Sequence, residues 1–565
     1  MKDLRWKSLL LSGGMLAVGA VSAQEQQTVE CQPDAPPAIG SYPFPEQAAI
    51  EYQVPPGLEI GDVRITSLKI FDEANPRENN ALYRWANRFH IETREERISQ
   101  QLLFEAGEAY DPRVIDESAR LLRDEKYLND ADIRPVSVCD GKVDVEVITR
   151  DIWSFTPELS FSRSGGENEY RFGIRETNLL GTGVELAVRT KHDIDRDSTE
   201  FVYKDRNLRG SRIESRLVYS DNDDGSEKLA SLLLPFYALD TRRSWQVNFE
   251  EIDRTDSQYF RGDEVTEVHR ESKDYLVRYG WSRGLVDGVA GRWVLGYRFE
   301  EEIFSPGDEL PPPAVFPVDK TLSYPFLEYS AIEDDYDTGV NLNELHRTED
   351  IHLGYKLAAR IGYASEALGS DVDRLVLSGS FSDTLIFNQD IWLAHELSWS
   401  GLYNMDTKSP EDVVVDYQLR YLKEQTKHRS FFSSFQATWS KNLNSNLALY
   451  YGGETGARAF DNRFQGGDRR VALTLEERMY TPIHLFNLIR VGWAIFLDVG
   501  KAWDPDVDDG IEDDYLASAG FGLRLSSSKS DKGRMMHLDL AFPLTNKDDP
   551  AVSSSEVAIR LKSRF

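Results

Sequence analysis

The C-terminal segment Val557-Ala558-Ile559-Arg560-Leu561-Lys562-Ser563-Arg564-Phe565 alternates apolar and mostly basic residues. Successive side chains of an extended strand point to opposite faces, so Val557, Ile559, Leu561 and Phe565 share one face and the basic residues share the other. Such a strand fits a barrel in a lipid bilayer, with its apolar face on lipid and its charged face on the lumen or rim. A soluble β-sandwich, whose strands alternate in the same way, is the alternative interpretation.

Alternating segments of this kind recur from residue 152 to the C-terminus, separated by polar turns such as Ser220-Asp221-Asn222-Asp223-Asp224-Gly225. Beyond the N-terminus, no window approaches the ~20 consecutive apolar residues of a transmembrane helix. The number of alternating segments favours a membrane barrel over a sandwich. We therefore predict an all-β transmembrane barrel over residues 152–565, with 16 antiparallel strands.

The first residues resemble a secretory signal. Lys2, Arg5 and Lys7 precede a largely apolar stretch over residues 8–20, and Val21-Ser22-Ala23 offers small residues for cleavage. The alternative is a membrane anchor, for which the stretch is too short. We expect a signal peptide over residues 1–23 and an exported mature chain.

Net charge and cysteine content constrain the partners and the cellular compartment of the protein. The formal net charge of −31 argues against a nucleic-acid partner, because such partners require basic patches. Cys31 and Cys139 both lie in the exported part of the chain, and in an oxidising compartment we expect a possible disulfide between them. Two free thiols are the alternative. The bond would tie an irregular segment, residues 24–58, to the first folded domain.

Motifs of enzymes and metal proteins are missing from the sequence. The nine histidines are scattered, without a metal-ligand spacing or a visible Ser/His pair, and no Gly-x-Ser-x-Gly occurs. We therefore predict no catalytic residue, no metal site and no cofactor.

Residues 59–151 show a mixed pattern that predicts an α+β domain. A strand near residues 63–70 precedes a helix over 79–89, which has Leu82, Trp85, Ala86 and Phe89 on one face. A second helix follows over 112–128, with Asp111 placed to cap it. Two strands, 133–138 and 143–148, flank an Asp-Gly turn. The predicted order is strand, helix, helix, strand, strand.

Two short motifs near the C-terminus contain opposite charges. Ala457-Arg458-Ala459-Phe460 lies in a loop, and Phe496-Leu497-Asp498-Val499-Gly500 lies on a strand. Strand parity turns Asp498 toward the lumen, because Leu497 and Val499 must meet lipid. The planar fork of an arginine can bind a carboxylate at two points in a confined lumen. The motifs therefore suggest a charge pair inside the barrel.

With these motifs the chain resembles the BamA/TamA-type outer-membrane assembly and translocation superfamily, whose barrels are of the bacterial surface antigen type. The segment from Phe104 to Arg123 resembles a POTRA domain, Asn178-Leu179-Leu180-Gly181-Thr182-Gly183 resembles an early strand-turn, and residues 451–565 resemble the C-terminal barrel. The resemblance implies a single POTRA domain over residues 59–151.

The same resemblance implies a lumen loop around residues 454–468, with Arg458 and Phe460 at its tip. Asp498 and Glu476 are its implied carboxylate partners in the lumen. Ala457 and Ala459 stand where the superfamily usually has Val and Gly.

The function that the resemblance implies is insertion of β-barrel proteins into the outer membrane of a Gram-negative bacterium, or translocation of polypeptides across it. The N-terminal domain would lie in the periplasm. The implied partners are outer-membrane lipids, unfolded or exported polypeptide clients, and periplasmic or lipoprotein partners of the POTRA domain. Two alternatives stay open. The first is a passive pore or surface antigen without a client, and the second is a hydrolase with a Ser/His pair on the outer barrel wall.

Overall fold

The structure is a computed structural model, and it describes residues 54, 57–342, 345, 348–388, 390–505, 515–529 and 535–562. The predicted signal peptide, Cys31 and Phe565 lie outside the described residues. Cys139 ends a strand of the N-terminal domain, and its disulfide with Cys31 stays a prediction.

The N-terminal domain is a three-stranded sheet covered by helices. Its sheet has the order β1-β3-β2, in which β1 is parallel to β3 and β2 is antiparallel to it. The elements in chain order are β1 (Glu59–Leu68), α1 (Ala81–Phe89), α2 (Glu95–Ser99), α3 (Pro112–Asp124), β2 (Leu128–Cys139) and β3 (Lys142–Asp151). The short helix α2 is an addition to the predicted order.

Local sequence explains where these elements begin and turn. The side chain of Asp111 accepts a hydrogen bond from the amide of Arg113 at 2.9 Å, which caps α3 at its first turn, where Pro112 needs no donor. Asp140 and Gly141 both have positive φ, as a two-residue hairpin between β2 and β3 requires. Ile115, Ala119 and Leu122 of α3 pack on the sheet and form the core of the domain.

Helix α1 departs from this packing. Leu82, Trp85 and Phe89 lie on one face, as the sequence pattern indicates, but that face is exposed. The buried residues of the helix are Tyr83 and Asn87 on the other side.

A closed antiparallel barrel of 20 strands follows, in which β27 meets β4. Its strands are β4 (Phe155–Ser164), β5 (Glu167–Glu176), β6 (Val184–His192), β7 (Asp197–Asp205), β8 (Glu214–Asn222), β9 (Gly225–Leu234), β10 (Arg243–Phe260), β11 (Asp263–Val286), β12 (Val289–Pro306), β13 (Lys320–Glu333), β16 (Lys356–Ala364), β17 (Arg374–Phe387), β18 (Ile391–Asn404), β19 (Ser409–Thr426), β20 (Arg429–Lys441), β23 (Arg469–Leu485), β24 (Ile489–Trp503), β25 (Leu516–Ser527), β26 (Met535–Pro543) and β27 (Glu556–Lys562).

The predicted count of 16 strands is wrong. That count assumed long connections, whereas many of the observed turns have only two residues. Examples are Gly165-Gly166 between β4 and β5, Arg261-Gly262 between β10 and β11, and Asp287-Gly288 between β11 and β12. The residues that long loops would have used form the additional strands instead.

Two small sheets interrupt the barrel sequence. The strands β14 (Tyr336–Val340) and β15 (Thr348–His352) form a hairpin between β13 and β16, and β21 (Leu449–Tyr451) pairs with β22 (Gln465–Gly467) between β20 and β23. The first hairpin lies at the end of the barrel where β4 begins, here named the domain end. The second lies at the opposite end, named the loop end.

The outer wall of the barrel is apolar. On β4 Phe155, Leu159 and Phe161 are exposed, and on β24 Ile495 is exposed while Phe496 and Asp498 beside it are buried. A ring of outward apolar side chains is unfavourable in water and is stabilised by lipid. Among the described residues, no helix is long and apolar enough to cross a membrane.

Candidate functional site

The loop of residues 452–468 folds back into the lumen from the loop end. Its own backbone hydrogen bonds make it compact, since the amide of Gly453 donates to Asp461 O at 3.1 Å and that of Ala457 donates to Gly452 O at 2.9 Å. Neither Ala457 nor Ala459 has a positive φ, and both are buried. Alanine at these positions therefore causes no backbone strain.

The structure brings Arg458 and Asp498 together in a two-point ion pair. Arg458 Nε donates to Asp498 Oδ2 at 2.7 Å, and Nη2 donates to Asp498 Oδ1 at 2.9 Å. Thr474 Oγ1 donates to the same carboxylate at 2.9 Å. Both charged side chains are buried. A pair of this geometry holds the loop tip in one orientation.

Glu476 and Asp539 extend this pair into a network. Glu476 Oε1 lies 2.9 Å from Arg458 Nη2, and Asp539 Oδ2 lies 3.5 Å from Arg458 Nη1. Three further arginines contact these carboxylates from the barrel wall: Arg478, Arg524 and Arg560. Four arginines thus share three carboxylates within the buried lumen.

Aromatic and small side chains enclose the loop tip. The guanidinium of Arg458 lies 3.5 Å from the ring centroid of Phe496, and Phe460 packs in a buried cluster with Tyr451 and Phe464. A cation on an aromatic face in a dry site adds attraction to the ion pair. Phe460 therefore acts as the apolar anchor of the loop, beside the charged anchor Arg458.

The loop also spans the seam, which is the junction of β27 and β4. Arg560 Nη1, on β27, donates to Gly453 O at 2.8 Å, and the amide of Asn462 donates to Gly165 O at 3.2 Å, at the end of β4. Among the described residues β27 and β4 share a single register pair, Ile559 with Arg163. The loop therefore fastens the two strands of the seam to each other.

The far side of the loop tip contacts the opposite wall. Arg463 binds Asp195 with two hydrogen bonds, at 2.7 and 3.0 Å, and its guanidinium lies 4.2 Å from the ring centroid of Tyr259. Burial and the nearby carboxylates of Glu556, Asp263 and Glu167 raise the pKa of Asp461 to about 6. The loop thus crosses the lumen near the loop end, and the carboxyl of Asp461 on it changes charge near pH 6.

A second element crosses the lumen from the domain end. The tip of the β14–β15 hairpin places Leu345 in a buried cluster with Tyr480, Ala494 and Met535 on the opposite wall. Arg478 Nη1, a member of the ionic network, donates to Leu342 O at 3.4 Å. The hairpin and the loop are therefore linked through Arg478 and Glu476.

The N-terminal domain covers the domain end of the barrel. Hydrogen bonds and ion pairs join it to the turns around the rim and to strand β15 of the lumen hairpin. The pairs with rim turns are Arg94–Leu180, Arg97–Asn207, Arg113–Asp240, Arg206–Asp124 and Lys529–Glu78, and the pair with β15 is Arg123–Asp350. Two of the rim turns are alike. Asn178 accepts from the amide of Gly183 at 2.8 Å, and Asn207 accepts from that of Arg212 at 2.6 Å.

Sequence reasoning identified Arg458, Phe460, Asp498 and Glu476. It missed Arg478, Arg524 and Asp539, and it did not predict that Arg560 contacts the loop. A charged residue at an inward position of an otherwise apolar strand could have identified Asp539 in Met535–Pro543. The second rim turn, Asn207-Leu208-Arg209-Gly210-Ser211, was missed although it repeats the pattern of Asn178-Leu179-Leu180-Gly181-Thr182.

On β27, Val557 and Leu561 are exposed and Ile559 is half-buried.

The structure also brings together a Ser/His pair that the sequence did not reveal. His484 Nε2 and Ser528 Oγ lie 2.9 Å apart at the domain end. Ser528 Oγ also lies within 3.4 Å of the carbonyl oxygens of Asn487 and Leu488. A hydroxyl that donates to one of these carbonyls must accept from His484, and this is the reverse of base activation. Within the described chain, no group of three or more His, Cys, Asp or Glu residues could hold a metal ion.

Comparison with known proteins identifies similar solved structures. BamA from Haemophilus ducreyi lacking POTRA domains 1–3 is 12% identical with a TM-score of 0.38, covering 89% of this chain and 85% of that chain. CdiB from Acinetobacter baumannii is 12% identical with a TM-score of 0.44 and coverages of 90% and 74%. CdiB from Escherichia coli is 12% identical with a TM-score of 0.35 and coverages of 94% and 94%.

No protein-family model matches the chain, and no curated protein matches it. BamA is a member of the superfamily that the sequence motifs resemble.

Proposed function

We propose that this protein is a gated barrel of a Gram-negative outer membrane that inserts β-barrel proteins into that membrane or translocates polypeptides across it. The observation that carries the proposal is the loop of residues 452–468, which is bound to the inner wall through Arg458 and to both sides of the seam through Gly453 and Asn462. A loop that fastens the seam is suited to controlling when the seam opens.

The N-terminal domain offers a place for an unfolded client. We assign it as a single POTRA domain in the periplasm, in line with its order of elements. The strand β1 is an edge strand, and along Val63–Leu68 its outer side carries no other strand in the described part of the chain. An extended client segment can add to such an edge through main-chain hydrogen bonds. Periplasmic or lipoprotein partners would bind the same domain.

The client would then move to the seam. The outward faces of β27 and β4 would lie in lipid, and a client strand would pair with the backbone of these two strands where they separate. Release of the loop from Arg560 and Gly165 would let β27 and β4 separate.

A passive pore is the alternative that the lumen geometry disfavours. The loop of residues 452–468 and the tip of the β14–β15 hairpin both cross the lumen, and the N-terminal domain covers the domain end. A pore needs a steady open path. The closed lumen supports the gated proposal.

Quantitative proteomics of outer membranes and culture medium tests the proposal, with this protein depleted and restored. A fall in many unrelated barrels would identify a barrel-inserting protein, and loss of one exported protein would identify a translocator. A proteome unchanged except for this protein would overturn both transport functions and favour the pore or surface antigen.

Crosslinking tests the route of the client. A photoreactive residue at Val557 should crosslink to client strands, whereas one at Leu377 on β17, which is exposed on the outer wall away from the seam, should not. Equal client crosslinking at both positions would contradict a route through the seam.

A hydrolase is a second candidate because His484 and Ser528 are within hydrogen-bond distance. Phospholipid and ester hydrolysis should be compared between the purified protein and Ser528→Ala. We expect no hydrolysis that depends on Ser528, since its hydroxyl lies beside two carbonyl acceptors. Hydrolysis lost in the variant would establish the enzyme instead.

A further inference from the structure

Helix α1 exposes three large apolar side chains on one face. The exposed fractions are 65% for Leu82, 53% for Trp85 and 59% for Phe89. Positions i, i+3 and i+7 lie on one side of a helix, so these side chains form a continuous stripe. No other element of the described chain covers this stripe.

The orientation of the helix is set from its other side. Tyr83 stacks on Phe71 with ring centroids 4.2 Å apart. The Asn87 side chain accepts from the amide of Phe71 at 3.1 Å and donates to its carbonyl at 2.9 Å. Because Tyr83 and Asn87 are buried and bonded, the apolar stripe is held outward.

The helix lies at the rim of the domain end, beside the seam. The hydroxyl of Tyr83 donates to the carbonyl oxygen of Phe486, in the β23–β24 turn. Trp85 stacks with Trp153 at a centroid distance of 6.4 Å, and Trp153 stands two residues before β4. Helix α1 is therefore joined to the first barrel strand and to a turn near the last strands.

The stripe continues the apolar wall of the barrel. Phe155 and Leu159 of β4 are exposed just beyond Trp153, and Phe486 is exposed under the helix. The stripe thus lies on the rim and is continuous with the barrel wall that faces lipid. This position places it at the surface of the bilayer.

We infer that α1 is an interfacial helix that inserts Leu82, Trp85 and Phe89 into the membrane leaflet at the domain end, beside the seam. Tryptophan favours this depth of a bilayer, because its ring is amphipathic. The exposed Arg84 and Arg88 of the same helix can reach lipid phosphates with their long side chains. The partner is thus a phospholipid surface.

A helix of nine residues is short for binding a membrane by itself. Here the barrel already holds it at the membrane surface, so insertion is effectively intramolecular and needs little additional affinity. Insertion would fix the tilt of the N-terminal domain and crowd the leaflet next to the seam. The inference rests on the barrel being in a membrane, which the proposed function shares, but not on the handling of clients.

Photocrosslinking in the full chain tests the inference. The protein is reconstituted in phospholipid nanodiscs with a photoreactive phenylalanine derivative at Leu82 or Trp85, and crosslinked phospholipid is measured by mass spectrometry. Lys142 provides the control, since it is exposed in the same domain at the start of β3. The ten residues of β3 separate it from the barrel entry by about 30 Å.

We expect at least about tenfold more lipid adducts at Leu82 and Trp85 than at Lys142, because only the stripe enters the leaflet. Equal adducts at all three positions would overturn the inference. Adducts to a protein instead of lipid in whole cells would also overturn it, and would identify the stripe as a protein-docking surface.

The outcome is separable from that of the proposed function. Lipid adducts at the stripe together with an unchanged proteome on depletion would leave α1 as a membrane helix and remove the transport function. Missing adducts together with lost clients would do the reverse. Folding of each labelled chain is checked by its heat-dependent migration on gels.

Discussion

The lumen and the domain interface use the same chemistry in different surroundings. In the lumen, Arg458 and Asp498 are paired at side-chain exposures of 4% and 0%. At the domain interface, Arg113 and Asp240 are paired at 29% and 46% exposure. Both pairs have short distances, 2.7 and 2.6 Å. Distance therefore does not distinguish them, and burial does.

Burial changes what each pair contributes. Breaking a buried pair leaves a charge without solvent or partner, which is strongly destabilising, whereas an exposed pair contributes little and is screened by salt. The Arg458–Asp498 pair thus contributes far more than the Arg113–Asp240 pair, and the domain is held instead by its buried pairs Arg97–Asp205 and Lys529–Glu78. We expect substitution in the lumen pair to be the more damaging of the two.

The largest effect is expected from Asp498→Asn. The substitution keeps the shape and removes the charge, so Arg458 loses its two-point partner in a buried site. We expect a loss of about 3–5 kcal/mol in the free energy of unfolding. Thermal or denaturant unfolding in detergent measures it, with Asp240→Asn as the exposed control. Equal losses in the two variants would contradict the comparison.

A smaller effect is expected from Leu345→Ala, at the tip of the β14–β15 hairpin. Removing this buried side chain should cost about 2–3 kcal/mol of hairpin packing and loosen the crossing of the lumen. Ion conductance in planar bilayers should rise relative to the wild type. Leu368→Ala, at an exposed site of the loop end, is the control. Unchanged conductance would mean that the loop alone closes the lumen.

The exposed part of the domain interface should respond weakly to both mutation and salt. Arg113→Ala removes the half-exposed pair with Asp240 and the contacts with Asp111 and Glu117, and should cost about 1 kcal/mol. Raising the salt from about 50 mM to about 500 mM should leave the domain docked, because salt screens the exposed charges but not the buried pairs Arg97–Asp205 and Lys529–Glu78. Distances between spin labels on the domain and the barrel measure the docking. A domain that leaves the barrel at high salt would contradict this expectation.

A further effect is expected from pH acting on Asp461. Its pKa of about 6 in the folded protein lies above the ordinary value of 3.8, so the folded loop favours the protonated form. Stability contributed by protonation is present below about pH 4 and is lost as the pH rises through about 6. Asp461→Asn should abolish this dependence. Unfolding midpoints of wild type and variant between these pH values measure it, and parallel curves would contradict the assignment.

Parity along strands predicted much of the candidate site. Asp498 stands between Leu497 and Val499, and only one face of a barrel strand can meet lipid, so its inward direction follows from three residues. The same reasoning fails for partners that are distant in sequence. Asp539 meets Arg458, and Arg524 meets Asp539, only because β24, β25 and β26 lie side by side in this order in the closed barrel.

Helix α1 shows what a local pattern of residues does not determine. Its period of apolar residues places Leu82, Trp85 and Phe89 on one face, but the period does not say whether that face meets a core, water or lipid. The neighbouring elements decide this, since Tyr83 and Asn87 occupy the side toward Phe71. The number of strands could not be predicted for a similar reason, because the lengths of the turns depend on which strands pair.

By itself the sequence determined that an α+β unit precedes a barrel with alternating strands, and that a loop arginine and an inward aspartate are available to pair. These properties are local, because they depend on residue periods of two or 3.6 and on single turns. Only the tertiary structure decided the number of strands, the seven-residue ionic network, the second lumen hairpin and the exposed stripe of α1. Those features depend on which distant segments become neighbours when the barrel closes. Local sequence patterns do not contain this information.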